Sequence, residues 1–367
     1  MIRFMQKITS QTDYAELARL IKAWGKALGF QAVGISDTRL DMAETRLLNW
    51  LSSGHHGEMD YMAKHGVKRS RPAELVPGTV RVISLRMDYY PPKVGNAWEI
   101  LQDGSRAFIS RYALGRDYHK VLRNRLEKLI RKICHESGNG HFRAFTDSAP
   151  VMEVELAHKA GLGWRGKHTL LLSREHGSYF FLGEIYTDLP LPADEAGEAQ
   201  PDNHCGSCKK CIEICPTQAI IAPYQLDAKR CISYLTIELK GSIPPEYRPL
   251  IGNRIYGCDD CQLICPWNRF AQPSPEDDFA ARHGLDNIAL TELFGWDETK
   301  FKEKLSGNAI HRIGHEQWLR NIAVALGNSG GGPKIIAALQ TRAQDPSLLV
   351  GEHVAWALGR LQHGDNI

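Results

Sequence analysis

Apolar residues recur at helical spacing over residues 12–29, where Leu17, Leu20, Ile21, Trp24 and Leu28 share one face. The pattern predicts a helix there, a strand over Phe30–Ile35, and a second helix over Leu40–Ser52 that ends at Gly54. Thr79–Tyr89, rich in Val and Ile, reads as a strand cut off by Pro91-Pro92. Tyr118–Cys134 is a long amphipathic helix. Leu122, Leu126, Leu129, Ile130 and Ile133 form its apolar face, and Lys120, Arg123, Arg125, Lys128, Arg131 and Lys132 lie opposite. A short strand, Phe142–Phe145, delivers Asp147 at its end. Helix Val151–Ala160, a glycine-rich turn and strands Thr169–Ser173 and Tyr179–Thr187 follow. The chain is therefore α+β, with an α/β domain over residues 1–190. From Asn287 the pattern is helical, with stripes in Glu316–Leu326, Pro333–Gln344 and Leu348–Leu361. The echo of Asn321-x2-Val324-Ala325-Leu326-Gly327 in Val354-Ala355-Trp356-Ala357-Leu358-Gly359 predicts α-helical HEAT-like repeats over 286–367. Residues 191–285, opened by the acidic Pro- and Ala-bearing stretch Leu191–Asn203, form a third module.

Length and composition narrow the class. At 367 residues the chain exceeds a small carrier and suits two or three domains. Its N-terminal MIRFMQKITSQTDY has no long apolar run, twin arginine or lipidation cysteine, and no stretch approaches bilayer-spanning length. The expectation is a cytoplasmic monomer with no membrane association. A net charge of +3 says nothing about nucleic acid, so any such site must be a local patch.

Cysteine spacing then supplies the chemistry. Cys205-x2-Cys208-x2-Cys211-x3-Cys215-Pro216 has the bacterial ferredoxin spacing for a [4Fe–4S] cluster, in which the cysteine before proline ligates the other cluster. Cys258-x2-Cys261-x3-Cys265-Pro266 echoes it one cysteine short, and Cys231 is the substitute. One cluster is assigned Cys205, Cys208, Cys211 and Cys265; the other is assigned Cys215, Cys231, Cys258 and Cys261. Disulfides suit a small secreted scaffold, and zinc knuckles do not need the crossed Cys-Pro arrangement. The residual Cys134 is expected to be a buried structural thiol.

Asp147 leaves two readings open. Followed by Pro150, it suits a helix N-cap. At a strand end before a glycine-rich crossing it also suits a general acid whose pKa is raised by an apolar cofactor face.

Several motifs resemble epoxyqueuosine reductase. They are Asp147-x2-Pro150 with Glu153, the Ala160-Gly161-Leu-Gly163-Trp164-x-Gly166-Lys167 turn, Gly177-Ser178-x3-Leu182-Gly183-Glu184, and Tyr112-Ala-Leu-Gly115-x-Asp117-Tyr118-His119. Ile255-Tyr-Gly257-Cys258-Asp259-x-Cys261-Gln262, Cys265-Pro266-Trp267-Asn268 and the repeat-like tail extend the resemblance over nearly the whole chain. It implies a cobalamin-binding domain fused to a two-cluster ferredoxin-like module. The implied activity is reduction of the epoxide of epoxyqueuosine at the wobble position of tRNA to queuosine. Cobalamin would be reduced through two [4Fe–4S] clusters fed by an external electron donor. The resemblance makes Asp147 the proton donor rather than a cap. It also implies cobalamin contacts from Arg69, Ala113, Asp147, Leu171, Leu182 and Glu238.

His158-x2-Gly161 lacks the aspartate that a cobalt-ligating Asp-x-His-x2-Gly motif carries, since Leu156 stands in its place; His158 is read as an ordinary helix residue. For RNA, the basic face of Tyr118–Cys134 and the tail residues Arg312, Trp318, Arg320, Asn321 and Lys334 are candidates, set against a solvated helix face and a core Trp318. Alternative classes are a simple iron–sulfur electron carrier, disfavoured by the large N-terminal domain, and a corrinoid reductive dehalogenase, disfavoured by the repeat tail.

Overall fold

The structure is a computed structural model that describes residues 12–194 and 204–363. Most of the acidic stretch after Leu191, and the extreme N-terminus, lie outside the described residues.

Four antiparallel strands, β1 (Ala32–Ser36), β2 (Arg81–Asp88), β3 (Phe142–Phe145) and β4 (Phe180–Thr187), form one sheet in the order β1-β2-β4-β3. Helices α1 (Tyr14–Ala27), α2 (Asp41–Ser52), α3 (Tyr118–Ser137) and α4 (Glu153–Lys159) cover it. Side chains alternate across a strand, so each face draws on one set of positions. Ile83, Leu85, Phe181 and Ile185 pack with Leu17 and Ile21 of α1 and with Leu122, Leu126 and Leu129 of α3. On the reverse face, Val82 and Tyr186 pack with Ala43 and Leu156, while Phe180 and Leu182 pack with Ala157. Covering both faces explains why all eight residues of β4 are buried and the strand reads as an apolar run. Glu184 breaks that run, as Ser84 breaks the apolar run of β2. They sit opposite each other in register and are completely buried. The reverse layer packs closely: a Cβ at Gly34 of β1 would lie 2.1 Å from the Ala160 carbonyl oxygen just past α4.

The C-terminal half is helical around α5 (Ile232–Ile237), α6 (Gly314–Gly327), α7 (Pro333–Gln340) and α8 (Leu348–His363). Its core runs without a break from Ile109 and Leu114 through Ile255 and Tyr256 to Leu285, Trp318 and Val354. Three RNA candidates are therefore structural. Trp318 is fully buried and stacks on Trp296. Arg320 is fully buried and donates to the carbonyls of Leu235 (2.9 Å), Leu239 (2.7 Å) and Gly241 (2.7 Å). Asn321 donates to Thr236 and Ile255 carbonyls at 2.8 and 2.9 Å. These side chains satisfy the carbonyls at the end of α5, where a helix leaves its last acceptors unpaired.

Two further expectations change on α3. Arg125 is withdrawn from the basic face, because it donates to the Leu28 carbonyl and pairs with Glu276. Cys134 is exposed, since the position after Ile133 lies about a hundred degrees round the helix from the apolar stripe. Among the described residues no helix is long and apolar enough to cross a membrane.

Candidate active site and cysteine quartets

Eight cysteines gather into two groups. Burial pushes the Cys211 thiol up to about 11, and the neighbouring Cys265, Cys205 and Cys208 add to the shift. The same four line a recess of about 230 Å³ with Lys167, His204 and Trp267. Cys215, Cys231, Cys258 and Cys261 instead line a separate cavity of about 480 Å³. Burial raises the Cys258 and Cys261 thiols, and Cys231 contributes to both shifts. Each Cys-Pro cysteine thus sits with the other run's quartet. The quartets are neighbours, because Cys211 of one lies within electrostatic reach of Cys261 of the other. Among the described residues no three His, Cys, Asp or Glu side chains converge on a single-ion site. The quartets frame volumes, as a cubane requires and a single zinc ion does not.

The larger cavity lies between the sheet domain and the cysteine module. Leu171, Phe180, Leu182, Ile232 and Ile237 give it apolar walls, and Asp147, Glu153, Glu238 and Arg312 interrupt them. The two sides are pinned together at Ser178, whose backbone N–H donates to Asn268 Oδ1 at 2.6 Å, while Gln262 donates to the Ser178 carbonyl at 3.1 Å. Gly177 allows that approach: φ is +64°, and a Cβ there would lie 2.1 Å from Asn268 Oδ1.

Asp147 sits in the loop between β3 and α4. That helix begins at Glu153 with Met152 at its cap position and no side-chain cap, so neither Asp147 nor Pro150 starts it. The Asp147 carboxylate turns instead to the head of α3. His119 Nε2 is 2.8 Å from Oδ1, and the Tyr118 hydroxyl donates to Oδ2. Asp117 caps α3 by accepting from the His119 N–H at 3.1 Å, and its Oδ1 lies 2.7 Å from His119 Nδ1. Tyr118 is held flat against Phe181, with ring centroids 4.0 Å apart. One tripeptide therefore caps a helix, orients an imidazole and fixes a carboxylate.

The charges follow from this geometry. Burial pushes the Asp147 carboxyl up, but His119, Tyr118 and Arg312 outweigh it and hold it below its ordinary value. Burial likewise opposes a charged His119, yet the two flanking carboxylates carry its pKa up to about 9. The resting pair is imidazolium and carboxylate, so without a ligand over the site Asp147 is not itself raised. The raised carboxyls are its neighbours. Burial and the Asp147 charge push Glu153 up to about 8, and burial followed by the charge of Glu153 puts Glu184 well above the carboxyl range.

The cavity wall gathers Asp147, Leu171, Leu182 and Glu238; Glu238 is paired with the half-exposed Arg312. Arg69 and Ala113 are not on that wall. Arg69 is buried behind it, donating to the Tyr61 carbonyl at 3.1 Å and lying within electrostatic reach of Glu153. Ala113 belongs to the C-terminal core, and its carbonyl accepts from Asn308 at 2.7 Å. His158 faces away from the cavity, with Nδ1 2.8 Å from the Gly163 carbonyl oxygen. The roles of Tyr118, His119 and Glu184 depend on contacts remote in sequence, whereas Asp117 acts on His119 two residues along. The one local signal for any of them was the Asp-Tyr-His run at a helix start.

A family model described as epoxyqueuosine reductase QueG, DUF1730, matches residues 69–148, and a 4Fe-4S double cluster binding domain matches residues 204–268. Epoxyqueuosine reductase of Pseudomonas aeruginosa is 58% identical over 356 residues, covering 97% of each chain. That of Escherichia coli K12 is 56% identical over 348 residues, covering 95% of this chain and 90% of its own. A crystal structure of epoxyqueuosine reductase with an epoxyqueuosine-modified tRNA-Tyr stem loop superposes with a TM-score of 0.85 at 28% identity, covering 94% of this chain and 90% of that one. The Bacillus subtilis enzyme, in a structure with its aspartate catalytic loop swung out of the active site, superposes with a TM-score of 0.85 at 27% identity, with the same coverage.

Proposed function

The chain belongs to the epoxyqueuosine reductase family, and we propose that it reduces the epoxide of epoxyqueuosine in the wobble position of tRNA to queuosine. The observation that carries this reading is one cavity that presents an oriented acid, Asp147, and a complete cysteine quartet to the same enclosed space. Removing an epoxide oxygen as water needs two electrons and two protons. A cavity joining an electron relay to a proton source has the required parts.

Cys205, Cys208, Cys211 and Cys265 would hold the outer [4Fe–4S] cluster, and Cys215, Cys231, Cys258 and Cys261 the inner one. An external one-electron donor would feed the outer cluster. The inner quartet opens on the cavity and is the point of delivery. The cavity fits cobalamin in its chemistry, with apolar walls from Leu171 and Leu182 and a sparse polar rim at Glu238 and Arg312. His168 is the only histidine among the described lining residues. Its Nδ1 accepts from the Leu170 N–H at 3.2 Å, and burial lowers its pKa to about 4, so it stays a neutral wall residue. Cobalamin, when bound and reduced, supplies a strongly nucleophilic electron-rich centre.

The protein's own part is the proton. A large apolar ligand over the site disfavours separated charges. That shifts the His119 Nε2 proton onto Asp147 Oδ1, 2.8 Å away. The resulting carboxylic acid can protonate the departing oxygen, while Tyr118 keeps Oδ2 in place. Asp117, bonded to the far ring nitrogen, stabilises the imidazolium when it re-forms.

In this reading residues 1–190 are the cobalamin-binding domain, 191–285 the double-cluster module and 286–367 a HEAT-like repeat unit that supports it and contributes RNA contacts. The working enzyme is a cytoplasmic monomer. The test is anaerobic turnover of an anticodon stem-loop bearing epoxyqueuosine by reconstituted protein and a low-potential one-electron donor. Conversion to queuosine, read as loss of one oxygen atom by mass, is the expected result. No conversion of the stem-loop by protein loaded with both clusters and cobalamin would overturn the reading.

A further inference from the structure

Epoxide reduction to an alkene breaks two C–O bonds, forms one C=C π bond and two O–H bonds, and consumes two electrons and two protons. The electrons come from the one-electron donor through the clusters. The His119–Asp147 pair carries one displaceable proton. A second must reach the same oxygen inside an enclosed cavity.

Two carboxyls stand beside that pair and are used by nothing described above. Glu153 opens α4 and lines the cavity, and its Oε2 is buried with no hydrogen-bond partner. Behind it, Glu184 of β4 is completely buried with both carboxyl oxygens unpartnered, as is the hydroxyl of Ser84 opposite it in register. An isolated buried carboxylate is among the most costly groups a protein can hold, so these groups are kept as neutral acids. Adjacent carboxyls cannot all ionise, because each charge raises its neighbour.

Resting on the function proposed above, we propose that Glu153, backed by Glu184, stores the second proton of the reaction and passes it to the leaving oxygen by way of Asp147. The groups facing Glu153 are Asp147 from its loop, His119 and the Tyr118 hydroxyl from α3, Arg69 from behind the wall and Glu184 from the sheet. Their balance sets the order of events. While His119 is charged, Asp147 is a weak base and Glu153 keeps its proton. Once the His119 proton has been spent, the cation that held Asp147 low is gone. Glu153 feels that cation only through space, whereas Asp147 loses a direct contact as well, so Asp147 gains the more basicity and takes the Glu153 proton, leaving Glu153 as the anion. Glu184, still neutral, remains behind it as the wall.

The experiment is Glu153→Gln in the full-length protein loaded with both clusters and cobalamin. A neutral amide replaces a neutral acid of the same shape, so no charge is lost from the fold. An infrared pH titration of the wild type, without substrate, is expected to show a protonated carboxyl band that disappears near pH 8 and is missing in the variant. Turnover of the epoxide-bearing stem-loop is expected to fall roughly a hundredfold and to lose its alkaline limb near that pH. Glu153→Asp, which keeps an acid in place, should recover about tenfold of the lost rate. Absence of the band in the wild type, or a Gln variant with the wild-type rate and pH profile, overturns the proposal. Equal losses in the Gln and Asp variants make the role structural and also overturn it. If the wild type does not convert the stem-loop at all, the function reading has failed instead, and the infrared titration still decides whether Glu153 holds a proton.

Discussion

His119 Nε2 lies 2.8 Å from Asp147 Oδ1, and this contact joins the head of one helix to a loop on the far side of a strand. It makes the aspartate one half of an ion pair in the resting protein. Removing either partner should therefore have different consequences.

Asp147→Asn should keep both clusters and cobalamin yet lose on the order of 10²–10⁴ in turnover, the usual contribution of general acid catalysis. The amide oxygen can still accept from Tyr118 or His119 and Asp147 caps no helix, so the fold should hold, with a melting temperature lowered modestly at neutral pH by the loss of one of the two carboxylates that stabilise the His119 cation. Near-normal turnover with confirmed cofactor content would remove Asp147 from the proton path.

His119 gives a pH signature with a defined sign. Its folded pKa of about 9 exceeds the unfolded value of 6.5, so the stability from its two carboxylate contacts is complete below about 6.5. That stability should be lost as pH rises through about 9. Melting temperature measured across this window should decline in the wild type and decline less in His119→Gln. Parallel curves would contradict the ion pair.

Cys231→Ala should cut iron from about eight to about four per chain, with the survivor held by Cys205, Cys208, Cys211 and Cys265. Because Cys231 opens on the large cavity, the variant should also fail to reduce bound cobalamin when the donor is supplied. Loss of both clusters, or zinc in place of iron, would refute the quartet assignment.

Arg320→Ala should destabilise the protein by on the order of 3 kcal/mol, since it strips the buried carbonyls of Leu235 and Leu239, and the more exposed one of Gly241, of their donor. Chemical denaturation of the iron-loaded protein would measure it. Residues beyond about Leu285 carry no cysteine, so a separable tail could be deleted with the clusters left intact. The continuous core through Leu285, Trp318 and Val354 predicts instead that such a truncation loses iron as well as RNA binding.

Stem-loop binding should weaken steeply with added salt, because phosphate contacts release counterions. Lys334, exposed at the start of α7, is a better candidate for such contacts than the buried Arg320. A salt-independent affinity would argue against a phosphate-tracking surface.

The long elements were legible because local pattern and tertiary environment agree there. Tyr118–Cys134 and Phe142–Phe145 appear nearly as read, and the former runs on only to Ser137. Short pieces were not. The two-residue strand Phe108–Ile109 exists only because Arg254–Tyr256 lies beside it, a pairing no local window contains. The cysteine spacing carried its own geometry, since a ligand run must fold around its cluster. Polar residues were the least legible. Arg320 and Lys334 look alike in a sequence, and only burial separates a carbonyl-binding guanidinium from a free cation. Glu153 and Glu184 stand in separate motifs of the sequence, and no local pattern shows that a helix and a strand bring the two carboxyls together.

The exchange of Cys215 and Cys265 between the two quartets also bears on how the protein is made. A chain emerging from the ribosome exposes Cys205, Cys208 and Cys211 early, yet their fourth companion arrives only after the second run has been synthesised. Neither inorganic core can be enclosed before the second run has been translated, and a product truncated before Cys258 could complete neither. Insertion of the first core and insertion of the second are thus tied to the same late moment in biogenesis. Pulse-labelled iron should appear in full-length chains as a pair of clusters, with little of a single-cluster species accumulating along the way.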